Sequence, residues 1–272
     1  IASLGVAAYG LIPLSMVFAE YIALITTAIN GAVSRFLTIA IQQKRWDKAN
    51  RIFSTAFFAI SIVVIALTPV LGVVSLNLHH LVQVPMGFAR EAASLLFLTF
   101  LGFLLSIVSA IFSSSLYANN RLDLCRAIDI TRVAIRVAVI LGSFTLLEPK
   151  LRYVGYANLA GGAGSLLLSV LLSRRVNPLL RVATANFQTG QLKELMSFGG
   201  WTVASQLGYV LFARLDLVLA NILTGAEIAG KYAALLQWTI LLQSVAGLLA
   251  GVCAPIILIL YSREQFDRLR EM

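Results

Sequence analysis

Four ionisable residues recur at helical spacing within an otherwise apolar stretch: Arg126, Asp129, Arg132 and Arg136. Separations of three and four place them on one face of a helix. With that helix starting near residue 125, Arg136 lies about 16 Å along it. Snorkelling to a wet end accounts for Arg126 and can account for Arg132. It accounts poorly for Arg136, which points to a cavity. A guanidinium stays charged, and its planar fork meets phosphate oxygens with two hydrogen bonds. The chemistry these residues offer is therefore the binding of an anion.

Other charges stand alone in apolar surroundings. Glu20 falls mid-way along a long apolar run, where it either pairs with an arginine of another helix or binds a coupling ion or substrate. Arg35 follows that run and either snorkels or joins the anion site. Arg214 and Asp216 are about 200° apart on a helix, so they cannot pair locally and each needs its own partner or water. Cys125 and Cys253 are isolated, which suggests neither a disulfide framework nor a metal site. His79 and His80 are adjacent and read as a loop pair. Gly161, Gly162 and Gly164 follow no strand, so they favour close helix packing over a dinucleotide loop. No catalytic constellation emerges, and no cofactor or metal is implied.

The elements that carry these residues follow from the spacing of charge. Only 12% of residues are charged, about half the share of a soluble domain, and mean hydropathy is +0.89. Residues 52–89, 92–120, 153–173, 195–213 and 232–262 carry no Lys, Arg, Asp or Glu, and residues 1–34 carry only Glu20. A membrane-crossing helix needs about 20 mostly apolar residues. A soluble helix would show polar positions every third or fourth residue, and barrel strands would alternate. Neither pattern appears. The chain reads as an all-α polytopic bundle of about seven transmembrane helices, near 9–30, 52–75, 92–115, 125–147, 153–173, 197–222 and 229–261. Pro13, Pro69 and Pro255 lie where they can kink them.

Net charge is +9, which in a soluble protein would suggest nucleic acid as a partner. Here the basic residues fill short connectors, where topology signals sit, and nucleic-acid binding is not expected. The connectors at 42–51, 116–126 and 174–196 and the tail 262–272 hold thirteen Lys and Arg, against four in the intervening connectors. The excess marks the first set as cytoplasmic, with residue 1 outside and residue 272 inside.

Sliding the chain along itself by 220 positions lays Gly5, Gly10 and Gly31 on Gly225, Gly230 and Gly251, and Trp46-Asp47-Lys48 on Phe266-Asp267-Arg268. The copies are six helices apart, an even offset, so both run the same way, as in parallel transporter repeats. The repeat predicts a parent of twelve or more helices. Residues 1–176 then form an N-terminal lobe lacking its first helix, and 177–272 the first two helices of a C-terminal lobe.

With the helices placed, the chain resembles the multidrug/oligosaccharidyl-lipid/polysaccharide exporter superfamily, specifically its O-antigen and exopolysaccharide repeat-unit flippases. The carrying residues are Phe198-Gly199-Gly200-Trp201, Arg214-Leu215-Asp216, and Gly225 through Gly230-Lys231-Tyr232-Ala233. Leu4-Gly5 and Tyr9-Gly10-Leu11 match the family's second-helix entry. The resemblance covers the chain as helices two to eight of a two-lobed fold. It implies a bacterial inner-membrane transporter, not an enzyme, that flips an undecaprenyl-pyrophosphate-linked oligosaccharide by alternating access. It also implies a cationic cavity, to which Arg35, Arg132, Arg136 and Arg214 would contribute. Glu20, Asp129 and Asp216 are left for ion coupling or structural pairing. Expected partners are the lipid-linked oligosaccharide, membrane lipids, and a polysaccharide polymerase with its chain-length regulator. The alternatives are a drug antiporter of the same superfamily, a membrane enzyme acting on polyprenyl-linked sugars, or a purely structural membrane subunit. The antiporter would favour acidic cavity residues, and the enzyme a large outer loop.

The topology has a direct test. In a Cys-free background, single cysteines near Lys44, Arg121 and Arg181 should resist an impermeant thiol reagent applied from outside, and cysteines near His79 and Lys150 should react. External labelling at position 181 would overturn the orientation.

Overall fold

The computed structural model describes residues 6–78, 82, 84 and 87–262, with side chains inside helices described outside 6–8, 18–30, 198–207, 209–214 and 247–262. Among the described residues there are seven long helices and one short 3-10 turn. The helices are α1 (Val6–Gln42), α2 (Trp46–Leu76), α3 (Ala89–Tyr117), α4 (Leu122–Leu146), α5 (Leu151–Val176), α6 (Thr189–Thr224) and α7 (Ala226–Ser262), with the turn at Thr184–Asn186. The molecule is an all-α membrane helix bundle. Each segment expected from charge spacing lies within a helix to within one residue. Among the described residues, α2, α3 and α5 are each long and apolar enough to cross a membrane.

Most helices outrun their apolar segments. α1 continues past Arg35 to Gln42, and α6 begins at Thr189 rather than near 197. Charge marks where hydrocarbon ends, whereas a helix ends where its last carbonyls find other donors. α1 ends in a Schellman cap: Lys44 takes φ 55°, its amide donates to Ile41 O at 2.9 Å, and the Arg45 amide donates to Ala40 O at 2.9 Å. The α3–α4 turn repeats the device. Asn120 has φ 56°, and the amides of Asn120 and Arg121 donate to Tyr117 O and Leu116 O. Between α6 and α7 a single residue, Gly225 at φ 90°, makes the turn, a conformation that favours glycine.

The scaffold of the bundle is the pair α3–α5, the most extensive helix contact in the structure. Its rungs hold a nearly constant offset, so the two helices run parallel. At one end Glu91 Oε2 accepts a bond from the Leu151 amide at 3.1 Å, capping α5 with a carboxylate. Asn158 then donates to Thr99 Oγ1 at 3.0 Å, and Ser109 donates to Ser165 O at 3.1 Å. At the far end the hydroxyls of Ser115 and Ser173 lie 2.7 Å apart, and Asn119 donates to Asn177 Oδ1 at 2.8 Å. Glycine allows backbones to approach this closely. A Cβ on Gly102 would stand 2.3 Å from Asn158 O, and one on Gly162 would stand 2.1 Å from Gly102 O.

The segment after α5 is tied to α2 by three side chains that each donate and accept. Asn50 donates to Leu179 O at 3.3 Å and accepts from the Arg181 amide at 2.7 Å. Ser54 donates to Arg181 O and accepts from the Ala183 amide. Thr55 donates to Asn186 O and accepts from the Gln188 amide. Non-helical backbone at the edge of a membrane bundle needs such partners.

The α3–α5 contact makes a prediction. Gly162→Val should lower the thermal stability of the detergent-solubilised protein by about 1–3 kcal/mol or more, the range for overpacking. Gly142→Ala, with nothing within 4 Å of its added Cβ, should be neutral or slightly stabilising. Equal melting of the two variants would contradict close backbone packing.

Candidate functional site

Parallel packing of α3 on α5 leaves a face of each to be covered by α4 on one side and α1 on another. α4 leans on α5 at two glycines. A Cβ on Gly161 would lie 2.9 Å from Arg132 O, and one on Gly164 would meet the Ile135 side chain. Ile128 is the one residue of α4 that is fully buried. Ile130, Val137 and Leu141 are exposed, as suits contact with lipid. The charged face of α4 is thereby set over a groove shared with α1, α3 and α5.

That groove consists of two adjoining cavities of about 310 Å³ and 220 Å³ that meet at Ser106 and Arg132. Arg132 lines both. Asp129 lines the first beside Ser34, Ser109, Ser113 and Ser165. Arg136 lines the second beside Met16, Thr99 and Asn158. Asp129 sits between two guanidiniums, 3.6 Å from Arg126 Nη1 and 3.7 Å from Arg132 Nη2. Arg136 is half-buried, and among the described residues no carboxylate lies within ion-pair distance of it. The groove so combines a partly neutralised arginine, an arginine with no carboxylate partner among the described residues, and a wall of hydroxyls. Such a lining suits a ligand with anionic and hydroxyl groups.

Many of these hydroxyls have already spent their proton. Ser106 donates to Gly102 O at 3.0 Å, and Ser114 donates to Ala110 O at 3.0 Å while lying 3.0 Å from the Ser34 hydroxyl. Their remaining lone pairs accept bonds, complementing the donor-only arginines. At the end of α3 nearest the first cavity, the Arg121–Asp123 pair is bidentate, at 3.0 and 2.8 Å. The guanidinium holds the Asp123 carboxyl below its ordinary range, chiefly through that hydrogen bond. Being fully exposed, the pair adds little stability.

Of the residues singled out by type and spacing, the groove unites Asp129, Arg132 and Arg136. Arg35 is exposed on α1 and does not line the groove, although its neighbour Ser34 does. Asp216 lies on α6, where Oδ1 accepts from the Leu217 amide at 2.7 Å and Oδ2 accepts from the Tyr232 hydroxyl of α7. That bond joins two family marks that are sixteen residues apart in the chain. The side chains of Glu20 and Arg214, and the pair His79 and His80, lie outside the described residues. The serines of α3 were not among the expected site residues. Their signal is the spacing of Ser106, Ser109 and Ser113 within a charge-free run.

Gly10 and Gly230, equivalent under the 220-residue offset, touch one another where α1 meets α7: a Cβ on Gly10 would stand 2.7 Å from the Gly230 Cα.

Comparison with known proteins settles the family. The polysaccharide biosynthesis protein family model matches residues 2–259. The chain belongs to that family. It is also 30% identical over 271 residues to the membrane protein EpsK of Bacillus subtilis (strain 168), a match covering 99% of this chain and 53% of that protein. The chain therefore spans about half the length of this relative. No solved structure matches it. Family members sharing the groove's arrangement would carry arginine on the α3–α5-facing side of the equivalent of α4.

Proposed function

We propose that this chain is part of a flippase that carries an undecaprenyl-pyrophosphate-linked oligosaccharide across the bacterial inner membrane by alternating access. The observation that carries the reading is the groove holding Arg132 and Arg136 among hydroxyls, within a membrane bundle of the polysaccharide biosynthesis family. Moving a pyrophosphate through about 30 Å of hydrocarbon is the difficult step, because an unpaired buried anion is heavily penalised. Arginine meets that demand without losing its charge.

Arg136 provides the stronger grip, having no carboxylate beside it among the described residues. Arg132 grips less firmly, since Asp129 shares its charge. That sharing lets the headgroup leave again. Arg35, outside the groove but beside its Ser34 wall, draws the headgroup toward it from the cytoplasmic side, and Arg214 receives it in the outer half. Glu20 serves ion coupling or pairing, and Asp216 holds α6 to α7 through Tyr232. Hydroxyls lining the groove accept bonds from sugar hydroxyls. No step needs a bond broken, so the chain acts as a transporter rather than an enzyme.

The positive-inside excess puts residue 1 in the periplasm and residue 272 in the cytoplasm. In that frame Gly10 and Gly230 lie toward the outer ends of α1 and α7, and the Tyr117–Cys125 end of the groove lies toward the cytoplasm. Contact on the outer side supports a cytoplasm-facing state, the one that loads substrate. The linker after Val176 separates the two lobes, and α1 and α7 are their equivalent helices.

In the intact protein, Arg136→Ala and Arg214→Ala should each lower flipping of lipid-linked oligosaccharide by about 10–100-fold, the loss of a charge-assisted hydrogen-bonded pair, and stop polymer production. Membrane insertion should be unaffected. Lysine, which keeps the charge but not the fork, should rescue only in part. Wild-type flipping by both alanine variants would show that these arginines are structural.

A further inference from the structure

A second groove lies among α2, α3, α5 and the segment that follows α5, and shares no residue with the site above. Its volume is about 800 Å³, within the range of small-molecule sites. Three aromatic rings form one wall. Phe112 meets Phe53 and Phe57 edge-on, with centroids 5.5 Å and 5.8 Å away. Val108, Leu166 and Val170 continue the apolar lining. The groove's polar end holds Arg174 and Arg181, both exposed, and among the described residues no carboxylate lines it. The other polar groups there are already matched. Asn177 donates to Ser115 O at 3.0 Å and accepts from Asn119, and Ser173 pairs with Ser115. The two guanidiniums are the groups left to recognise a ligand.

We propose that this groove holds one anionic glycerophospholipid, its acyl chain along the phenylalanine wall and its phosphate against Arg174 and Arg181. Charge complementarity selects this occupant. An apolar trough closed at one end by two cations and no anion fits an anionic headgroup on a hydrocarbon tail, and a zwitterionic headgroup fits less well. Basic pockets between transmembrane helices bind acidic lipids in this manner. The groove opens beside lipid-facing positions, since Leu167 and Leu171 of α5 are 66% and 61% exposed. Its mouth is built in advance, because Asn50 and Ser54 of α2 hold the backbone of Arg181 on both sides. The site does not depend on the transport reading. The topology proposed above makes its leaflet the cytoplasmic one.

Native mass spectrometry of the intact protein tests this with phosphatidylglycerol and phosphatidylcholine of identical acyl chains. Wild type should retain one phosphatidylglycerol in preference to phosphatidylcholine by roughly tenfold or more, as two basic side chains at a lipid surface would give. The double variant Arg174→Gln/Arg181→Gln should lose the preference while melting like wild type in lipid-free detergent. Equal retention of both lipids by wild type would overturn the proposal, whether or not the variant folds. Undiminished preference in the double variant would overturn it too. Displacement of the bound phosphatidylglycerol by a short-chain polyprenyl pyrophosphate would reassign the groove to the transported lipid.

Discussion

A guanidinium at membrane depth must be given water, a partner or a ligand, since hydrocarbon offers none. That constraint organises the structure around α4. Exposed Ile130, Val137 and Leu141 commit part of this helix to lipid, so its arginines must face inward. They can do so only where neighbouring helices leave a polar space. The α3–α5 pair provides it. Glycine contacts bring those two backbones together, and serine, threonine and asparagine rungs satisfy the polar atoms between them. Gly161 then lets α4 lie against α5 at the level of Arg132. The same small residues that pack the scaffold line the groove, so packing and site share one set of side chains.

The 220-residue offset aligns Gly10 with Gly230, and the two meet where α1 crosses α7. Two glycines there let α1 and α7 cross with nothing between their backbones. The Asp216–Tyr232 bond joins α6 to α7.

Much of this was legible in the sequence. Five charge-free runs and the stretch 1–34 with its lone Glu20 mark six of the helices, and the three- and four-residue spacing of Asp129, Arg132 and Arg136 marks α4 and anticipates their shared face. Gly161, Gly162 and Gly164 indicate close packing, which the structure places at the α4–α5 and α3–α5 contacts. Helix ends were less legible, because amphipathic turns beyond the hydrocarbon, such as residues 31–42, carry charge without ceasing to be helical. The hydroxyl wall was also missed. Serine neither interrupts an apolar run nor stands out by charge, and Ser106 or Ser113 acquires meaning only beside Arg132. The ties from Asn50, Ser54 and Thr55 span about 130 residues of sequence, and no local pattern marks them. Arg35 neighbours a groove residue, and a 100° step along the helix sets it outside the lining.

The central claim is that Arg136 faces a wet, anion-accepting groove rather than lipid or a closed core. Thiol reactivity at that position measures this most directly. In an otherwise Cys-free intact protein, Arg136→Cys should react with a hydrophilic methanethiosulfonate reagent supplied from the cytoplasmic side, and pyrophosphate-linked lipid should slow the reaction. Leu141→Cys, about 140° around α4 and 59% exposed, should stay inert as a lipid-facing control. If position 136 reacts no faster than position 141, or if the lipid leaves its rate unchanged, the arginine does not face a substrate groove and the account fails.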